Sequence, residues 1–495
     1  LDDFAHEIAI LALWLTKHQM NVEFFKEFGR TNPTLPLTDA GNIVKGNACR
    51  LDWERVCPKG ESDEVYILGN PPYLGFNVQT DYQKEDIALN FPNKANMKFL
   101  DYIVCWFLKA TNFIDQNSSF AFVTTNSICQ GAQVSMIWPH ILNRNKEISF
   151  AYPKFTWSNN AKNNAGVICS IIGVRSVNNK PKYMFIDNTR LIAKNINAFL
   201  LNGPNIFIEK RQSPLSFNSS MNTGNVPYDG GNLILSVDER NEIIRNYPTA
   251  KKFILELSGS REFINNLKRY CIWITEDEVD EAMQIPYFKD RIQKVKESRI
   301  NGGKIAKNYS HLPYRFYMNN RADESQLIIP RVSSIRRKYV PIGFLNSDVI
   351  ISDSAQAMYD PEIFLFSVLN SQIHMIWVRI LAGKLKSDFR YSAVLCYNTF
   401  PFPNISKQRK DELTQCTLKI LDERLKHSEK TMAQLYDPDK MPEGLKEAHH
   451  QNDLAVERCY RSNPFSSDEE RLEYLFKLYE KMIQEEKDKD TLFAK

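Results

Sequence analysis

The sequence predicts an α/β fold: an open, doubly wound sheet over residues 1–210, an α+β domain over 211–404 and a helical unit over 405–495. Three observations predict it. Apolar runs of strand length alternate with amphipathic stretches in the first part, which is the pattern of parallel strands joined by helices. From about residue 210 that alternation gives way to turn-rich segments such as NTGNVPYDGGN and basic loops such as PRVSSIRRKYVPIG. After PFPNIS (401–406) the chain is rich in Lys, Glu, Leu and Gln at helical spacing. At 495 residues it exceeds what one core holds, so several domains are expected.

Taken in order, residues 3–20 read as a helix with Asp2 or Asp3 near its N-cap. GNIVKGNA (41–48) and EVYILGN (64–70) read as short buried strands, and NMKFLDYIVCWFLKATNFIDQ (96–116) as an amphipathic helix. SFAFVTTNSI (119–128) is a third buried strand that ends on polar residues. AGVICSIIGVR (165–175) is a fourth, with KPKYMFID (180–187) as its hairpin partner. In a doubly wound sheet ligands bind at the carboxyl ends of the strands, and both NPPY (70–73) and TTNS stand at such ends.

Composition narrows the function classes. With 43% hydrophobic and 25% charged residues the chain is an ordinary globular one, and no run of about 18 apolar residues suggests a membrane span. Nine cysteines form no CxxC pair and eight histidines show no ligand spacing, so a reducing, cytoplasmic setting and no structural metal are expected. The net charge is only +4, yet residues 289–400 hold 17 Lys and Arg against 9 Asp and Glu. A basic region on a near-neutral protein suits a polyanion, although a solvated charged face has the same composition.

The NPPY corner has a specific chemistry. Two prolines remove two backbone donors and fix φ, and the residue before a proline is pushed out of helical space, so the chain leaves its strand as a stiff corner. An Asn70 side-chain oxygen and the Pro71 carbonyl can then accept from one exocyclic amino group, while Tyr73 stacks on the face of a planar base. Two acceptors on an aromatic amine draw its hydrogens out of conjugation and free its lone pair. A plain strand-ending turn uses the same residue types, and the position after a buried strand is what favours the functional reading.

The corner resembles the D/N/S-P-P-Y/F/W motif of amino-methylating DNA methyltransferases. More narrowly, NPPYLG, FLDYIVCWFLKA, FAFVTTNSICQGAQVSMIWP, FTWSNNAKNNAGVICSIIG, DGGNLILS, RRKYVPIGFL and GKLKSDFRYSAVLCYNTFPFP together resemble MmeI-like single-chain type II restriction-modification enzymes over nearly the whole chain. The resemblance implies a partial Rossmann-like methyltransferase sheet, a target-recognition domain and a helical C-terminal domain. It implies an adenine-N6 DNA methyltransferase that flips its target base out of duplex DNA and uses S-adenosylmethionine. Asn70, Pro71, Pro72 and Tyr73 would hold the adenine, and Phe155 or Trp157 would stack on its other face. Asn47, Phe99 and Asp101 would lie against the cofactor. Arg331, Arg336, Arg337, Lys338, Lys384, Lys386 and Arg390 would contact DNA, where arginine forks suit guanine edges. Cytosine-C5 chemistry would want a Pro-Cys pair, and Cys57 precedes Pro58 instead.

The sequence departs from that family at its front. A glycine-rich loop around the cofactor's methionine portion is absent from these 495 residues, as is the acid on the ribose, for which Asp2 and Asp3 are the substitutes. The chain starts at Leu1 rather than methionine, so a fragment lacking an N-terminal segment of its parent is expected, inactive by itself and a weak binder of S-adenosylmethionine at best. Glu485 and Lys487 have E-x-K spacing without the rest of a nuclease motif, so a nuclease, with its Mg2+, would lie upstream. The alternative is a catalytically silent DNA-recognition module on the same fold; methylation of RNA or of protein glutamine is a third reading of NPPY.

Overall fold

The computed structural model describes residues 3–29, 43–91, 99–157, 167–216, 219–385 and 388–493. It comprises two compact units, Leu1–Phe207 and Ile208–Lys495. The first is built on a six-stranded mixed sheet in the order β1-β2-β4-β3-β5-β6, with β1 Val65–Gly69, β2 Ser118–Thr125, β3 Lys146–Trp157, β4 Val167–Ser176, β5 Lys182–Ile186 and β6 Thr189–Ala193. β1 runs parallel to β2, with Gly69 opposite Phe122. β4 is antiparallel to both β2 and β3, β5 is parallel to β3, and β6 is antiparallel to β5.

The sheet's helical side follows from simple alternation. Every second residue of β2 from Ser118 is buried, which puts Phe120 and Phe122 under Phe107 of the helix Val104–Phe113, edge-to-face at 5.7 and 5.4 Å. Trp138 closes the cluster 6.1 Å from Phe107. On β4, Gly173 is required: a Cβ there would stand 2.2 Å from the Phe150 ring.

Several sequence expectations are corrected. The sheet is mixed, because β4 runs antiparallel to both of its neighbours, β2 and β3, and β3, which the sequence did not announce, inserts between β4 and β5. Pro153 and two register shifts interrupt the period-two pattern of β3. Residues 165–175 and 180–187 are therefore not a hairpin: the carboxylate of Glu147 on β3 lies between them, 2.8 Å from Arg175 and 2.9 Å from Lys182. Residues 43–48 form no strand, and 41–42 lie outside the described residues. The helix read over 96–116 is confined to Val104–Phe113, since the Asp101 carboxylate accepts from the Ile103 amide at 3.2 Å and holds the approach in a turn; 92–98 are not described. β1, read as buried, leaves Tyr66 67% and Leu68 78% exposed at the sheet edge. The first helix, α1, runs over Asp3–Phe28 and buries none of its residues.

A second element of order lies between the strands. Asp86, on the helix Asp81–Asn90, is wholly buried and accepts from Tyr102 Oη at 2.5 Å, Arg50 Nε at 2.6 Å and Asn47 Nδ2 at 2.9 Å. Burial disfavours its charge, but the donors from Tyr102, Arg50 and Asn47 outweigh burial and hold the carboxyl below its ordinary range. The helix itself starts on a capping box between Thr80 and Gln83.

The second unit is α+β with a helical end. One four-stranded sheet joins Ile234–Leu235, Ile254–Ser258, Tyr270–Ile272 and Val349–Ile351 over a core containing Phe253, Phe288, Trp273 and Phe316. Another joins Asn222–Thr223, Ser325–Pro330, Gly343–Asn346 and Ala355–Tyr359. Helices Lys407–Leu425, Glu443–Tyr460 and Asp468–Phe493 follow, the last carrying Glu485 and Lys487. Not all of the region's basic charge is on the surface. Arg299 is fully buried, and its guanidinium donates to the carbonyls of Pro227, Tyr228, Tyr309, Leu312 and Arg315 at 2.6–3.0 Å. Among the described residues no helix is long and apolar enough to cross a membrane.

Removing the Asp86 carboxylate leaves the Tyr102 hydroxyl and the Asn47 amide without their acceptor, while Arg50 keeps Glu85, so Asp86→Ala is expected to lower unfolding free energy by about 3 kcal/mol in urea titrations. Because the folded carboxyl is depressed, wild-type stability from this site is present at neutral pH and is lost only as pH falls below about 4. A loss under about 1 kcal/mol, or one centred near neutral pH, would contradict this role.

Candidate functional site

The NPPY corner leaves β1 at the sheet's carboxyl edge and is tied down one residue beyond its tyrosine. Leu74 N–H donates to Asp101 Oδ1 at 2.9 Å, and Leu74 O accepts from the Tyr102 amide at 3.0 Å and from Gln79 Nε2 at 2.6 Å. Gln79 also donates to Leu100 O at 3.0 Å. Asp101 is 7% exposed; burial raises its carboxyl, and the amides of Ile103, Leu74 and Tyr102 work against that rise. The anchoring role of Asp101 and Gln79 was not read from the sequence. An acid just ahead of an apolar helix was its only signal.

Within the corner, Pro71 is buried, Pro72 and Asn70 are exposed and Tyr73 is half-buried. Among the described residues nothing hydrogen-bonds the Asn70 side chain or the Pro71 carbonyl, so both acceptors stand open. Burial, then the neighbouring Cys169 thiol, pushes the Tyr73 phenol up. Cys169 on β4 is buried and lies opposite Thr125 of β2 and Phe155 of β3. The corner and Phe155 are thereby brought to one row of the sheet. Phe155 is half-buried. Trp157 follows two residues on, opposite Val167; its side chain is outside the described residues. Burial raises the Cys169 thiol, with the Tyr73 hydroxyl opposing, so the sulfur beside the corner is a neutral thiol rather than a nucleophile.

The residues expected against a cofactor do not assemble in the same way. Asn47 spends its amide on Asp86 and its oxygen on the Cys49 amide, 2.9 Å each. Asp101 faces backbone amides, Phe99 is 60% exposed, and Asp3 on α1 is paired with Lys45. Asp2 lies outside the described residues. Among the described residues, those expected against a cofactor thus do not form one cradle with the NPPY corner.

In the second unit two basic segments far apart in sequence meet in a three-stranded sheet. Val332–Ser333 pairs with Asp388–Arg390, which pairs with Gly383–Leu385. Arg331 is half-buried and donates to Asp353 O at 2.8 Å; burial, then the neighbouring Arg390, lowers its pKa. Arg390 is exposed. Arg337 is half-buried near Asp388 and Asp437, its pKa lowered by burial. Arg336 is exposed and paired with Asp439, and Lys338 stands 3.9 Å from Asp453. Lys384 is in the sheet opposite Phe389 with its side chain undescribed, and Lys386 lies outside the described residues.

Comparison with known proteins gives matches along the chain. Three family models fit consecutive stretches: "MmeI, DNA-methyltransferase domain" over residues 1–186, "MmeI, target recognition domain" over 202–404 and "MmeI, C-terminal domain" over 405–485. DNA methyltransferase A of Bacillus subtilis (strain 168) is 42% identical over 488 residues, covering 98% of this chain and 55% of the relative. The solved structure of the type IIL restriction-modification enzyme MmeI in complex with DNA matches at TM-score 0.88 and 36% identity, covering 98% of this chain and 66% of that one. The chain therefore spans about half the length of that curated relative.

If Asp101 holds the corner, Asp101→Ala frees the Leu74 amide. Hydrogen exchange at Leu74 is expected to quicken about tenfold or more, as loss of a charged hydrogen bond implies, with exchange in β2 unchanged. Unaltered protection at Leu74 would contradict the anchoring.

Proposed function

The chain belongs to the MmeI family, and from that premise we propose that it is the methyltransferase and DNA-recognition part of a site-specific adenine-N6 DNA methyltransferase. The observation that carries the proposal is the corner: a fixed backbone, two open acceptors at Asn70 and Pro71, and a half-buried tyrosine beside them. A flipped adenine fits this arrangement. Its N6 amino group donates to Asn70 Oδ1 and to the Pro71 carbonyl, Tyr73 covers one face of the ring, and Phe155 or Trp157 covers the other. Extracting a base costs a few kcal/mol, which stacking and these two hydrogen bonds offset. With its hydrogens held by acceptors, the N6 lone pair is available to receive a methyl group without a covalent enzyme intermediate. The neutral, buried Cys169 offers no nucleophile for cytosine-C5 chemistry.

The proposed methyl donor is S-adenosylmethionine. Its site is incomplete in these residues, and we assign the remainder, together with a nuclease that would make the whole a restriction-modification enzyme, to further sequence of a longer polypeptide. The exposed apolar edge of β1 and the unburied α1, which leaves Ile8, Leu11 and Leu15 exposed, support that assignment, since a parallel strand and such apolar side chains are ordinarily covered. In this reading residues 1–210 are a partial methyltransferase domain, 211–404 recognise the DNA target and 405–495 are the helical C-terminal domain. Arg331, Arg336, Arg337, Lys338, Lys384, Lys386 and Arg390 are the proposed DNA contacts, some to phosphates and some to base edges.

The reading predicts that Asn70→Ala, made in the complete polypeptide, lowers the methylation turnover about 100-fold or more while duplex affinity stays within about twofold, because one of two acceptors for N6 is gone. Retained turnover would refute the acceptor role.

A further inference from the structure

The cations proposed to face DNA are held from behind by the C-terminal helices, through a buried polar cluster. Tyr339 follows Arg336, Arg337 and Lys338 in the chain, yet is only 2% exposed. Its hydroxyl donates to Asp453 Oδ2 at 2.7 Å, and its ring stacks on His449, with centroids 4.1 Å apart and planes 18° apart. The other oxygen of Asp453 accepts from the Gln372 amide at 2.7 Å. Gln372 begins the helix Gln372–Leu381 that leads directly into the strand Gly383–Leu385. One carboxylate on the helix Glu443–Tyr460 therefore grips the roots of both basic segments. Farther along the loop, Arg424 donates to Ile342 O at 2.8 Å and to the Tyr436 hydroxyl, which hydrogen-bonds His449 Nε2 at 2.7 Å.

We propose that Asp453 is a positioning residue for DNA recognition, fixing the 331–342 loop and the paired strands Gly383–Leu385 and Asp388–Arg390 in one register without touching DNA itself. The proposal rests on the reading of those segments as the DNA-facing surface. Burial raises the Asp453 carboxyl to about 6, with Glu457 adding to the rise and Tyr339, the Gln372 amide and Lys338 opposing it; both of its oxygens accept, one from Tyr339 and one from Gln372. Arg336–Asp439 is different in kind: it is solvent-exposed, where salt screening leaves an ion pair little weight.

The test has a sign that simple electrostatics does not share. Asp453→Asn removes a negative charge beside Lys338, which by charge alone would tighten binding to DNA. Positioning predicts the reverse. With a fluorescein-labelled random-sequence duplex and the 495-residue chain, anisotropy titrations are expected to show Kd raised about tenfold. The slope of log Kd against log salt should fall by about one to two, one or two phosphate contacts being lost. Tyr339→Phe, which keeps the ring and its stack on His449, should weaken binding about threefold, the share of one hydrogen bond. Arg390→Ala is the control for the underlying reading. If Arg390→Ala weakens binding while Asp453→Asn and Tyr339→Phe leave Kd and slope unchanged, or tighten binding, the positioning role is overturned. If Arg390→Ala also changes nothing, the DNA-facing assignment fails and the proposal falls with it.

Discussion

The hydrogen bond from the Leu74 amide to the buried Asp101 carboxylate is the constraint on which the candidate site depends. Pro71 and Pro72 stiffen the corner from within, since each fixes its own φ and neither donates. Stiffness alone does not aim it, however. Asp101, Gln79 and the Tyr102 amide do so by taking both backbone groups of Leu74. On the other side Tyr73 lies half-buried beside the Cys169 thiol. Among the described residues the Asn70 side chain and the Pro71 carbonyl are left as neighbouring unpaired acceptors, which is the condition for acting on one amino group of a base.

The second unit repeats this logic with charge in place of acceptors. Its exposed cations lie on short strands and a loop, elements with little stability of their own. Buried groups behind them supply the order: Asp453 through Tyr339 and Gln372, and Arg424 through Ile342. Arg299 does the same for the segments 227–228 and 309–315, with five carbonyl acceptors. Buried charges fully satisfied in this way specify a unique arrangement, because any other packing would strand them.

How far all this was legible in the sequence depended on whether the signal was local. NPPY announced itself because it stands at the carboxyl end of an apolar strand, where a turn of the same residues gains a use, and β2 because it alternates cleanly. β3 was not legible, since Pro153 and two bulges break its period. The hairpin expected between residues 165–175 and 180–187 failed for a non-local reason: Glu147, from another strand, binds Arg175 and Lys182. Asn47 illustrates the same limit. Its type suits a cofactor contact, but only the fold reveals that Asp86 and the Cys49 amide take up its side chain. The basic cluster was visible as a count, and the pairing of 332–333 with 388–390 is what turns that count into one surface.

The central claim is that the corner presents its two acceptors to N6 of adenine. The most direct measurement is the identity of the methylated base: duplex DNA treated with the complete polypeptide and isotopically labelled S-adenosylmethionine, digested to nucleosides and resolved by mass spectrometry. The account predicts label in N6-methyladenine alone. Label in 5-methylcytosine or N4-methylcytosine would contradict it.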